Sequence, residues 1–172
     1  MIVEKAPISI VTPNDSKLYD GAPLIATEGA ELSGLVNDET ATLIVAGSRT
    51  DAGVSDNAYR IDWSGSAKES NYFIDEETIG ALEILPREVT LASGSATKIY
   101  DGTALELPDV TVGGDGFVGT EASVRATGSI TDIGGPIDNT IVVEPGEGFI
   151  AANYNVVYTV GKLTVTSASI DR

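Results

Sequence analysis

The chain has 172 residues, 42% of them hydrophobic, a formal net charge of −16, and neither cysteine nor histidine. Enough apolar residue is present for a folded core, and no basic stripe exists to neutralise nucleic-acid phosphates or an anionic membrane. The missing residue types exclude Ser/His/Asp and Cys/His triads, His-ligated zinc or iron, and any disulfide framework.

The acidity belongs to the whole chain. Acids outnumber bases 15 to 5 in residues 1–86 and 11 to 5 in residues 87–172, so the charge reads as a solvated surface that keeps the protein soluble. No run of 18 apolar residues occurs, residues 1–10 do not read as a signal peptide, and the chain reads as a segment of something longer.

Organisation comes from a repeat. Lys17-Leu18-Tyr19-Asp20-Gly21 returns 81 positions later as Lys98-Ile99-Tyr100-Asp101-Gly102, which sets two tandem modules, residues 1–86 and 87–172. Val, Ile and Thr dominate the apolar runs, so both modules are expected to be β-rich. In chain order, Ile8–Val11 and Val89–Leu91 alternate apolar and polar as half-buried strands do. Polar turns follow at Thr12–Ser16 and Ala92–Thr97. Asp-Gly in the shared motif is a turn signal, with Gly21 and Gly102 accepting positive φ; Tyr19 and Tyr100 are expected to bury their rings and pin the corner.

The next segments diverge. Val110–Val112 reads as a strand, with Ala26–Leu32 in its place in the first module. Gly34–Glu39 and Gly116–Glu121 have room for a helical turn, with Asn37-Asp38 and Gly119-Thr120 as turn formers. Ala41–Ala46 and Ala122–Thr127 are the clearest strands. A second signature, Thr-Asp-x-Gly, ends them: Asp51 and Gly53, then Asp132 and Gly134. Further strands are expected at Asn57–Trp63 and Asn139–Val143. Variable loops then converge on Asn71-Tyr72 and Asn153-Tyr154. Each module closes with Gly-x-Leu-x-Ile/Val, at Gly80–Ile84 and Gly161–Val165, which has a strand's period of two. Pro86 follows the first closing strand, and the short junction suggests modules in a stiff row.

Together, Lys-x-Tyr-Asp-Gly, Thr-Asp-x-Gly, Asn-Tyr and the final Gly-x-Leu-x-Val resemble the YDG/MBG-type repeats of large bacterial surface proteins, over residues about 7–85 and 88–167. The resemblance implies a β-grasp-like module in an extracellular, surface-anchored protein, where tandem copies form a stalk. The seven or so short strands per module equally suit an immunoglobulin-like sandwich. The first module departs from the pattern at Asp75-Glu76-Glu77.

The motif residues are read as folding devices, with no catalytic residue, no metal ligand and no cofactor. Trp63 and Tyr72, with Phe73, are candidates for a sugar platform, and Asp109, Asp115 and Glu121 for a Ca²⁺ loop. Lys17 and Lys98 are the only lysines in register. They read as lying over the Tyr ring or pairing on the surface, with a Lys–Asn or Lys–Asp isopeptide bond as the covalent alternative. The expected protein is a non-enzymatic monomer. Its partners are neighbouring repeats and, in the alternative reading, a host glycan or glycoprotein.

Overall fold

The structure, a computed structural model, describes residues 1–170. The chain divides into two compact units, Met1–Leu85 and a second that starts at Pro86. Both are mainly β, and no α-helix occurs among the described residues.

Unit 1 holds eight strands: β1 (Ala6–Val11), β2 (Asp15–Leu18), β3 (Glu31–Ser33), β4 (Thr42–Val45), β5 (Gly53–Asp56), β6 (Tyr59–Asp62), β7 (Tyr72–Thr78) and β8 (Ala81–Leu85). β1 is central in a sheet ordered β3-β1-β7, antiparallel to β3 and parallel to β7. β8 is central in β2-β8-β5, parallel to β2 and antiparallel to β5. β4 and β6 form a two-stranded ribbon.

Unit 2 holds ten among its described residues: β9 (Arg87–Ser93), β10 (Ala96–Ile99), β11 (Leu105–Glu106), β12 (Val110–Gly114), β13 (Ala122–Ala126), β14 (Ser129–Ile130), β15 (Gly134–Asn139), β16 (Ile141–Pro145), β17 (Tyr154–Thr159) and β18 (Gly161–Thr166). Its sheets, β12-β9-β17, β10-β18-β15 and β13-β16, repeat those of unit 1. The extra pair β11–β14 occupies the place of a single bridge, Leu24 to Arg49, in unit 1. One 3-10 turn precedes the penultimate strand in each unit, at Glu69–Asn71 and Ala151–Asn153.

The alternation expected of the first and last strands holds side chain by side chain. Ile8, Ile10, Leu82 and Ile84 are buried in unit 1, and Val89, Leu91, Leu163 and Val165 in unit 2. Residues two apart on a strand face the same way, so four positions per unit supply the deepest apolar layer. Each such side chain is worth roughly 1.5–3 kcal/mol of burial before conformational entropy is charged against it.

Several local expectations change. The turn expected over Thr12–Ser16 narrows, because Asp15 and Ser16 already pair with Leu82 and Glu83. In place of a strand over Ala26–Leu32, only Glu31–Ser33 pairs. The helical turn over Gly34–Glu39 is a tight turn instead: Asn37 and Asp38 sit at φ +57° and +56°, and Glu39 N–H donates to Val36 O at 3.0 Å. Asn and Asp tolerate that left-handed backbone, which blocks helix propagation. Finally, the strand over Asn57–Trp63 starts late, since Asn57 lies between β5 and β6 with its side chain fully buried.

Candidate functional site

The first two residues of the shared Lys-x-Tyr-Asp-Gly motif end the strand that pairs with the closing strand. At its end, Tyr19 N–H donates to Leu85 O at 2.8 Å and Tyr100 N–H to Thr166 O at 2.9 Å. Gly21 and Gly102 then reverse the chain at φ +80° and +81°, a backbone state that costs a glycine nothing. Asp20 Oδ1 accepts Ala22 N–H at 2.9 Å and Lys17 Nζ at 2.7 Å, and the same ammonium donates to Ala22 O at 2.7 Å. In unit 2, Asp101 Oδ1 accepts Thr103 N–H, Thr103 Oγ1–H and Lys98 Nζ at 2.7 to 2.9 Å. The lysine bonds hold both aspartates below the ordinary carboxylate value, assisted by the backbone N–H of Ala22 or Thr103. Lysine and aspartate thus close a turn on themselves, with their bonding capacity used locally. The tyrosine rings differ: Tyr19 is buried, whereas Tyr100 is 48% exposed. The expected ring burial thus holds at Tyr19 and fails at Tyr100, and what the two copies share is the backbone N–H bond.

At Thr-Asp-x-Gly, Asp51 and Asp132 are exposed and Gly53 and Gly134 open β5 and β15. Arg49 supplies bonds to the first of these turns, from Nη2 to Ala52 O at 2.9 Å and from Nη1 to Val54 O at 3.2 Å. Ile130 stands in the matching place of unit 2.

The third signature carries the most elaborate chemistry. Tyr72 and Tyr154 are buried, and each hydroxyl reaches back to the upstream tight turn. Val36 N–H donates to Tyr72 Oη at 3.3 Å and Tyr72 Oη–H donates to Glu39. Val118 N–H donates to Tyr154 Oη at 3.0 Å and Tyr154 Oη–H to Glu121 at 2.5 Å. The Glu39 bond, with burial, raises the Tyr72 phenol above its usual value. Trp63 stacks on Tyr72, ring centroids 5.8 Å apart at 23°. In unit 2 Phe149, from the variable loop, stacks on Tyr154 at 5.6 Å and 4°. An aromatic cover is therefore present in both units, although the covering residues are out of register in the sequence.

Beside Trp63 lies an open groove of about 790 Å³, lined by Tyr59, Ile61, Trp63, Phe73 and Ile74 with Glu69 and Lys5 at hand. Phe73 and Ile74 are nearly half exposed. Tyr59 Oη–H donates to Glu77 at 2.5 Å, and burial together with that carboxylate pushes its phenol up to about 12.

Two of the Ca²⁺ candidates are engaged separately, and the third, Asp109, is exposed. Asp115 accepts Glu88 N–H at 2.9 Å and Glu121 accepts Tyr154. Among the described residues no three acidic side chains converge on one point, and no helix is long and apolar enough to cross a membrane.

Sequence reasoning missed the buried asparagines. Asn57 Nδ2 donates to Pro13 O and Ala26 O, both at 2.9 Å. Asn139 Nδ2 donates to Gly94 O at 3.1 Å and Leu107 O at 2.9 Å, and its Oδ1 accepts Gly128 N–H at 3.0 Å. Each amide ties the link after the first strand to the chain ahead of the third or fourth. A Cβ at Gly47 or Gly128 would stand 2.2 or 2.6 Å from the asparagine Oδ1, which explains a Gly there. The available signal was an Asn recurring ten or eleven residues after a recurring Gly-Ser.

No family model matches the chain, and neither does any curated protein or solved structure.

Proposed function

We propose that the chain is a pair of YDG/MBG-type repeats that serves as a non-enzymatic stalk or spacer of a bacterial surface protein. One observation carries the reading: the Lys-x-Tyr-Asp-Gly and Asn-Tyr motifs spend Lys, Asp and Tyr side-chain polar groups on turns inside each unit, and the same strand order recurs twice. A repeat whose signature residues build the repeat is suited to being multiplied along a chain. Such a protein is a monomer that holds a distal domain away from the wall or adds weak contacts in many copies.

The experiment is antibody labelling of this chain on intact cells of its source, with and without protease shaving. Labelling that shaving removes is expected. Labelling seen only after lysis overturns the reading.

A second reading, binding of a neutral glycan, is favoured by the groove at Trp63, where a half-buried indole stands beside exposed Phe73 and hydrogen-bonding groups. Apolar walls with a few polar groups are the usual make-up of small-ligand sites. The acidic surface disfavours sialylated or sulfated sugars. A glycan array probed with wild type and Trp63→Ala decides it: retention lost in the variant supports the site, and no retention of wild type removes it.

A further inference from the structure

We infer that each unit is a shear clamp, built so that tension applied through the chain ends loads its first and last strands along their length. The strand register sets this direction of loading. In unit 1 residues 6–18 run parallel to residues 72–85: Ala6 to Val11 pair with Tyr72 to Thr78, and Asp15 to Leu18 with Leu82 to Leu85. In unit 2 Arg87 to Ala92 pair with Tyr154 to Thr159, and Ala96 to Ile99 with Leu163 to Thr166.

The break between the two parallel ladders is stapled. Thr12 N–H donates to Thr78 O at 2.9 Å. Thr12 Oγ1 accepts Gly80 N–H at 2.9 Å and Asn14 Oδ1 accepts Ala81 N–H at 2.7 Å. Ser93 Oγ and Ser95 Oγ accept Gly161 N–H and Lys162 N–H, each at 2.9 Å, in the same two places. The far end of each ladder is closed by the tyrosine N–H of the Lys-x-Tyr-Asp-Gly motif.

A chain under tension carries the same force at every link. That force reaches a unit at the start of its first strand and leaves at the end of its last. Two parallel strands pulled at opposite ends must slide, so their hydrogen bonds are strained together. An antiparallel pair pulled from adjacent ends opens one bond at a time. Forced unfolding is governed by the unfolding rate, so the direction of loading matters even where equilibrium stability is unchanged. The two units also differ. β7 carries a register shift against β1 between Ile8 and Ser9, whereas β17 pairs with β9 without interruption. Unit 1 is therefore the weaker clamp.

The inference gives the spacer reading a physical use, but it stands or falls separately. The test is single-molecule pulling on the full chain, which has no cysteine of its own. Handles are placed either at the two chain ends or, kept reduced, on exposed neighbours of the antiparallel β15–β18 pair through Asp138→Cys and Lys162→Cys. A second pair of handles, Asp56→Cys and Ala81→Cys on β5–β8, does the same for unit 1. End-to-end pulling is expected to give two unfolding events, each at about two-fold or more the force of the matching adjacent-strand pull. Thr12→Val with Asn14→Ala should lower only the weaker end-to-end event. Equal forces in both geometries overturn the clamp, and so does a double variant that leaves both events in place. Loss of surface labelling with the force difference intact would remove the stalk and leave the clamp; the converse result would do the reverse.

Discussion

The two units accommodate a mismatch in length at different strands. Gly53 and Gly134 are 81 residues apart, Asn57 and Asn139 are 82 apart, as are Tyr72 and Tyr154, and Gly80 and Gly161 are 81 apart again. Unit 2 thus has one residue more after its Thr-Asp-x-Gly turn, and unit 1 has one more in its penultimate strand. Each extra residue is absorbed as an irregularity in a ladder. β15 shifts register against β18 between Gly134 and Ile137, and in β7 Asp75 has no partner between Ile74 and Glu76. Both strands are the outer members of their sheets. An outer strand can bulge without breaking a second ladder on its other side, whereas a central strand cannot. The acidic run Asp75-Glu76-Glu77, which departs from the repeat pattern, sits on this bulged outer strand, where charge also discourages pairing with other chains.

That contrast can be broken by deletion. Removing Asp75 turns Tyr-Phe-Ile-Asp-Glu-Glu-Thr-Ile-Gly into a segment with the length of its unit 2 counterpart, and unit 1 should still fold. Removing Glu83 from central β8 instead turns Ile84 to the opposite face and should prevent unit 1 from folding at all. Trp63, the single tryptophan, lies in unit 1, so its emission reports that unit selectively. If both deletions are tolerated, or neither is, the outer-strand account fails.

Next in size are the buried asparagines. Asn139→Ala strips partners from Gly94 O, Leu107 O and Gly128 N–H, and Asn57→Ala from Pro13 O and Ala26 O. An orphaned buried polar group costs about 1–3 kcal/mol, so losses of about 3 kcal/mol are expected, larger for Asn139. Denaturant unfolding followed by circular dichroism and by Trp63 emission separates the units. Equal losses would mean that the third bond of Asn139 contributes nothing. Below these comes Tyr154→Phe, which takes away the hydroxyl between Val118 and Glu121 and should cost about 1 kcal/mol. Tyr72→Phe should move unit 1 in the same direction.

How much of this could be read in the sequence follows the range of the interactions. The alternation of Ile8 and Ile10, or Leu82 and Ile84, is local, and the strands and their buried faces were legible from it. The turns at Asp20-Gly21 and Asn37-Asp38 were legible for the same reason. Sheet partners were not: β1 meets β7 across more than 60 residues, and nothing in either segment names the other. The roles of Asn57 and Asn139 were hidden because each read as the first residue of a strand, and only its burial reveals a cross-chain tie. Trp63 was singled out, yet its counterpart Phe149 was not, because stacking on Tyr154 fixes a position in space and not in the alignment. Glu39 escaped notice, and Glu121 was singled out for calcium and not for Tyr154, because their tyrosines lie 33 residues downstream.

The smallest effect sharpens the comparison between the two lysine-clamped turns. Asp20 accepts Lys17 and one backbone N–H, whereas Asp101 accepts Lys98, Thr103 N–H and the Thr103 hydroxyl. Each bond favours the charged form, so both carboxyls are held below the ordinary 3.8, and Asp101 the further. The sign follows from linkage. The unfolded chain takes up a proton near 3.8 while the folded turn still resists, so the clamp stabilises fully above that value and is lost as pH falls through the folded value. Both groups are exposed, so the change in stability is small and the site-resolved titration is the better measurement. Carboxyl carbon shifts recorded by NMR from pH 5 downward should show Asp20 protonating before Asp101. Ala22→Thr places the missing hydroxyl in unit 1 and should carry the Asp20 midpoint toward that of Asp101. If Asp20 does not move, the difference between the turns lies in the lysine geometry and not in the threonine.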